Sequence, residues 1–461
     1  MSDCEKEKVE NPNISIEPLQ NISLFKKYRW SILTVTVLAI ASGIYVMTLN
    51  HVEQELSTNE DYKEELNGEE VHMKIVKNNE TNIHSYTSFT NGISKFTSDF
   101  YQKSIQGSSG NVIISPLSVV SALGLVSQAT GGNTFEQIKN GLHLTENQTI
   151  VADHFHKYFS KLQQGIGKTT LAILNQIYVQ ECYEINADFQ DVAEKKFLSG
   201  VELVDFEDSI DTAEYINQFV KRKTNNKIKD LIEPHLLNSN TRAILVNAVS
   251  FKGMWLDEFE KPKTHKGDFY NTESETVLVD YMYKESQFNY AVFDSLDAAA
   301  VQMRYRNSNF SFIILLPRTI DGLSALEDKI KHFNLTKIVD KMQFKWIELK
   351  VPKFKIEFDI NLNDILKNLG MTEMFTSKAN FSGLLESRQT NEPLYVSNVI
   401  HKTAIEINEQ GTDAYSATAS ALILSGGINA IKFLADHPFF FYIWDNQTKN
   451  AVFSGRVTQF D

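Results

Sequence analysis

The chain reads as an α+β fold, and three observations predict it. Stretches of strand character are interspersed unevenly with helical ones, without the regular βαβ wind of a parallel sheet. Residues 117–128, LSVVSALGLVSQ, form a helix that is apolar on nearly all sides and belongs at the centre of a large core. The second half is dominated by short apolar strands and closes on two of them flanking a turn at residues 445–450.

Composition narrows the function classes. At 461 residues, length alone suggests about three ordinary domains. The 42% hydrophobic and 22% charged content is that of a globular protein. Forty-five basic against 58 acidic residues leave a net charge of −13, which argues against a general nucleic-acid binder. The two cysteines, Cys4 and Cys182, imply no disulfide framework.

Residues 1–29 form a polar tail, expected on the cytoplasmic side, ending in the basic cluster Lys26-Lys27-Tyr28-Arg29. Residues 30–49 run without charge and are long enough to cross a bilayer. Basic residues before the span and acidic ones after it predict the N-terminus inside and the remainder outside the cytoplasm. Two readings compete: an uncleaved signal anchor, giving a single-pass type II membrane protein, or a signal segment cleaved near Ala41-Ser42-Gly43, giving a secreted chain. Residues 50–83 are dense in Glu, Asn and Lys and read as an acidic, flexible linker. Beyond the span, glycosylation sequons at Asn79, Asn147, Asn309, Asn334, Asn380 and Asn446 are candidate sites of an extracellular glycoprotein.

From residue 84 onward the chain reads as a folded unit. Residues 87–106 are helical in spacing, and 111–115 form a short strand. Pro116 suits the first helical position, with Ser115 as its cap, and Gly131-Gly132 ends that buried helix. GIGKTT at 165–170 imitates a phosphate-binding loop, but Leu162 stands where the first glycine is required and no strand precedes it. It reads as a surface turn. Residues 171–179 alternate as a strand, 213–232 form a polar helix with a solvated basic end, and 245–259 alternate until Gly253. Further strands are expected at 276–282, 298–305, 310–317 and 346–354, and helices at 322–332 and 362–369.

The most informative stretch is 396–421. A strand rich in Val, Ile and Thr runs to Ile407, and a turn follows at Gly411, a residue free to take φ angles that others resist. Thereafter Thr412, Ala414, Ser416 and Thr418 share one face of an extended chain, and all are small. Asp413, Tyr415, Ala417 and Ala419 take the other face. Such a segment can slide into a closed sheet with its small face inward.

That hinge resembles the reactive loop of serpins, the serine protease inhibitors, and further motifs carry the same resemblance across residues 85–461. They are Asn111, Ser115, Pro116, Ser118 and Thr134 around the buried helix; Asn247, Phe251, Lys252, Gly253 and Trp255; Val351-Pro352-Lys353; ANFSG at 379–383; and the closing Asp436-His437-Pro438-Phe439 and Ser454-Gly455-Arg456-Val457. The resemblance implies a serpin fold of three β-sheets, one large and central, with eight to nine helices and an exposed reactive loop. It implies a metastable suicide substrate. A target serine protease attacks the loop and forms its acyl-enzyme, and the hinge then inserts into the central sheet.

Residue by residue, the resemblance places Ser115, Ser118, Asn247 and His401 in a polar cluster where the sheet opens. It places Lys353 and Glu409 in an ion pair at the sheet top near Trp255. Family spacing counted from Glu409 sets the reactive bond at Leu424–Ser425, with Leu422 as fallback and a backward count from Pro438 landing near Gly427. Leucine there suits a chymotrypsin- or elastase-like protease, and no Lys or Arg between Glu409 and Ile431 serves a trypsin-like one. A monomer without metal or cofactor is expected. The rival reading is a non-inhibitory serpin, a carrier or chaperone, whose hinges tend to carry charged, proline-bearing or bulky inward residues. A tethered binding ectodomain is a further alternative. An enzyme is disfavoured, since neither a G-x-S-x-G elbow nor an H-E-x-x-H motif occurs.

Overall fold

The computed structural model describes residues 68–461 except 168, 334, 387–391 and 413–429, with side chains from His84 onward. The chain divides into two compact units, Met1–Asn78 and Asn79–Asp461, and every strand among the described residues lies in the second. The proposed membrane segment, residues 30–49, lies outside the described residues. Among the described residues no helix is long and apolar enough to cross a membrane.

Nine α-helices occur among the described residues. The first, Gly68–Ser104, starts well before the residue 87 expected from apolar spacing and takes in the end of the expected linker. Its opening turns scatter Val71, Met73, Ile75 and Val76 among Glu, Lys and Asn, too few apolar residues to read as a sustained stripe. The buried helix is Pro116–Ala129, capped by the Ser115 side chain, which accepts from the Ser118 N–H as expected. It sits so close to helix Gln148–Ile166 that a Cβ on Gly124 would fall 2.4 Å from the Phe155 ring, so only glycine fits there. The polar helix ends at Lys223, earlier than residue 232, because Asn225 and Asn226 turn left-handed.

Among the described residues, two hydrogen-bonded sheets hold the strands. In the central one we label β1 Thr170–Gln180, β2 Gly200–Val204, β3 Ala243–Met254, β4 Phe354–Asn361, β5 Val396–Asn408 and β6 Gly411–Thr412. Their order is β4-β5-β6-β3-β1-β2, with β5 also paired directly to β3. The other sheet has nine strands. Two of the three expected sheets are thus joined in one, because the 19-residue strand Glu275–Phe293 serves both halves: it pairs with His265–Thr272 at one end and Ala298–Arg304 at the other. The strand expected at 346–354 is likewise two, Gln343–Pro352 and β4, with a corner at Lys353.

The central sheet has a core on each face. Its inner face carries Val249, Phe251 and Ile405 toward the buried helix. Its outer face packs Tyr178, Val246, Ala248 and Ile400 against Ile216 and Val220 of helix Ser209–Lys223. A sheet buried on both faces can change its strand number only through its own plane.

Candidate functional site

The site is the seam between β3 and β5. These strands run parallel and are paired from Val396 with Ala243 to Ala404 with Ser250. Above Ala404 and Ser250 they part. β6 then fills the top, antiparallel to both: Thr412 stands opposite Gly253 on β3 and Ile407 on β5. Phe251-Lys252 and Ile405-Glu406 lie between these pairings and, among the described residues, have no register partner across the seam.

Inside the seam a polar chain crosses three strands. The Ser115 N–H donates to His401 Nε2 at 3.1 Å. A backbone N–H can only donate, so Nε2 carries no proton and Nδ1–H points at Asn247 Oδ1, its short-range partner. Asn247 Oδ1 also accepts from Ser118 Oγ at 2.7 Å. The Asn247 amide donates on to Asn175 Oδ1, whose own amide reaches Ser121 Oγ at 2.8 Å. His401 and Asn247 are direct register partners across the seam and are fully buried. Burial drives the His401 pKa down to about 3, so the ring is neutral. A neutral, single-tautomer histidine is a hydrogen-bonding brace, and neither a metal ligand nor a base is needed to explain it.

The top of the seam is held by charge and aromatic packing. Lys353 Nζ lies 3.0 Å from Glu409 Oε1, and Thr264 Oγ1 donates to the same oxygen at 2.9 Å. Burial pushes the Glu409 carboxyl up, but its own backbone N–H, Lys353 and Thr264 together hold it below the usual range. Trp255 Nε1 donates to the Asn408 carbonyl at 2.9 Å, and the Phe259 N–H to the Glu409 carbonyl at 2.8 Å. Gly411 has φ +150° and comes so near β3 that a Cβ would lie 2.0 Å from the Gly253 oxygen. Thr412 is completely buried, its hydroxyl 2.6 Å from Tyr305 Oη. Tyr305 in turn stacks on Trp255 at 4.7 Å between centroids.

A profile of the family Serpin (serine protease inhibitor) matches residues 91–460. The chain belongs to the serpin family. It is 36% identical to Serine protease inhibitor 42Dd of Drosophila melanogaster over 75% of this chain and 91% of that one. Serpin48 of the insect Tenebrio molitor superposes with a TM-score of 0.75 at 31% identity, over 81% and 99% of the two chains. Human thyroxine-binding globulin, solved as a ligand complex, gives 0.75 at 25% identity over 81% and 99%.

Within this serpin the structure brings together Ser115, Ser118, Asn247 and His401 in one cluster, and Lys353, Glu409 and Trp255 in another. Ala414, Ser416 and Thr418 of the hinge, the Leu424–Ser425 bond, Leu422 and Gly427 lie outside the described residues. Four members of the serpin site went unread in the sequence: Asn175, Ser121, Thr264 and Tyr305. Asn175 had a legible signal, a polar residue at an inward position of an apolar strand. Tyr305 and Thr264 had none, since only the tertiary fold carries them to residue 412 and residue 409.

The sequons divide by geometry. Asn147 is exposed, and its side-chain oxygen caps a helix through the Ile150 N–H. Asn380 is exposed, with its oxygen on the Ser382 N–H. Asn309 and Asn446 are only part-exposed and spend their amides: Asn309 on Gln447 Oε1 at 2.8 Å, Asn446 on the Asn309 carbonyl and Ser311 Oγ. Only the backbone of Asn79 is described, and Asn334 lies outside the described residues.

Proposed function

We propose that this serpin inhibits serine proteases of the chymotrypsin or elastase type as a suicide substrate, working outside the cytoplasm. Attack at Leu424–Ser425 yields an acyl-enzyme, and the hinge then enters the seam as a further strand before deacylation. Serpin loop insertion is itself a standard example of strand addition with release of stored strain, and the mechanism is carried over from the family.

The observation that carries the reading is the seam itself. Gly411 and Thr412 already lie between β3 and β5, and among the described residues the next two on each strand have no register partner across the seam. Thr412, the first residue of the small-residue face, is the one turned inward and buried. Insertion therefore lengthens an existing strand and needs no new nucleus. Successive added residues gain hydrogen bonds on alternate edges, at the expense of the β3–β5 pairs and of the His401–Asn247 bond.

The test is incubation with chymotrypsin-like and elastase-like proteases, followed by denaturing gels and sequencing of the released peptide. An adduct stable to denaturant, with a peptide starting at Ser425, supports inhibition. Loop cleavage without an adduct refutes it and leaves the non-inhibitory carrier reading.

A further inference from the structure

Over the seam, on the outer face of the central sheet, lies a cavity of about 370 Å³ that protease attack and acylation leave unused. Its floor is Ser250 and Ala404, the last β3–β5 pair below the open stretch. Its walls include Lys229 from the loop after helix Ser209–Lys223, Lys355 and Glu357 from β4, and Lys402 from β5. Lys402 Nζ donates to the Asp230 carbonyl at 2.8 Å, and Lys355 reaches Glu357 at 2.6 Å.

The strand register says what arrives there. Thr412 opposes Gly253 and Ile407, antiparallel to both strands. Continuing that register, residue 413 opposes Lys252 and Glu406, residue 414 opposes Phe251 and Ile405, and residue 415 opposes Ser250 and Ala404. Thr412 points inward, so with alternating side chains residue 415 would point outward once inserted. Two more residues enter the open stretch without breaking a β3–β5 pair. Tyr415 is the first that must separate Ala404 from Ser250, and its side chain then projects into the cavity whose floor they form.

We infer that this cavity is a preformed seat for Tyr415 in the loop-inserted state, and that Tyr415 promotes insertion there. The inference rests on the proposed insertion mechanism and deepens it. Ser250 and Ala404 are small, so the ring meets no obstruction. Lys229, Lys355 and Lys402 line the space that the aromatic face would enter, so cations stand near it for a cation–π contact. Tyrosine suits a half-open polar seat, since its ring buries area while its hydroxyl stays near polar groups such as Glu357. An alanine at 415 would leave the cavity to solvent. The one bulky residue of the hinge is then a latch on the inserted form, where bulk alone would suggest a hindrance.

The sign of one substitution separates these. The full chain and its Tyr415→Ala and Tyr415→Phe variants are nicked by a protease shown by sequencing to cut within residues 420–427, and thermal unfolding is compared before and after. A latch predicts that Tyr415→Ala gains less stability on cleavage than the parent, by about 2–6 °C, while Tyr415→Phe stays near the parent. A gain in Tyr415→Ala equal to or above the parent's overturns the inference. A parent that gains nothing on cleavage overturns the insertion mechanism as well. As an independent readout, Tyr415→Trp should show, over the parent, an emission shifted to shorter wavelength and protected from acrylamide after cleavage. An unprotected indole there refutes the seat.

Discussion

Replacing Asn247 with alanine removes a side chain through which both strands of the seam and the buried helix meet. Asn247 Oδ1 accepts from His401 Nδ1–H and Ser118 Oγ–H, and its amide serves Asn175 Oδ1. The residue is fully buried, so all three partners lose their hydrogen bond away from bulk water. At about 1–3 kcal/mol per orphaned group, and allowing for repartnering of the mobile serine hydroxyl, the expected loss is about 3–5 kcal/mol. For a domain of this size that corresponds to a melting temperature lower by about 4–6 °C. Urea unfolding should show the midpoint fall with its slope unchanged, since the surface exposed on unfolding is the same. The Asn247→Ala/His401→Ala double variant should lose less than the sum of the single losses, because both delete the same bond. A loss under about 1 kcal/mol, of the size seen at surface positions, would refute the reading of this cluster as the brace of the seam.

Other outcomes rest on the same geometry. Thr412→Arg would place a charge against Tyr305 and β3 in a site with no exposure, so the hinge should fail to seat and the chain should be cleaved as a substrate; Thr412→Ser should retain inhibition in the same gel assay. His401, with a folded pKa of about 3 against an ordinary 6.5, binds its proton more readily when unfolded. Its contribution is therefore present above pH 6.5 and lost as pH falls from there toward 3, by up to about 1.4 kcal/mol per pH unit. Denaturation midpoints across that window should show a shallower slope in His401→Gln, and an identical slope would contradict the assignment. In chain made through a secretory pathway, mass spectrometry should find glycan on Asn147 and Asn380 and bare side chains at Asn309 and Asn446, whose amides are spent on the fold.

Much of this was written along the chain. Apolar residues on every side of 117–128 specify a buried helix wherever it lies, and Ser115-Pro116 specify its start, because capping and φ restriction act within a turn. The alternation of small residues after Gly411 specifies a segment able to enter a sheet, because strand faces alternate strictly. The resemblance to serpins was what placed Lys353 with Glu409 and His401 with Asn247. Local pattern was silent where the reason is distant. The early turns of the first helix show no sustained apolar stripe. One strand, Glu275–Phe293, unites two sheets only because different partners meet its two ends. Tyr305 lies 107 residues before the threonine it holds. Likewise, the outward bulk of Tyr415 reads as a blemish in the sequence. In the inserted state inferred above, the register of β3, β5 and β6 would turn it toward a cavity, because which side chains share a space is set by strands far apart in the chain.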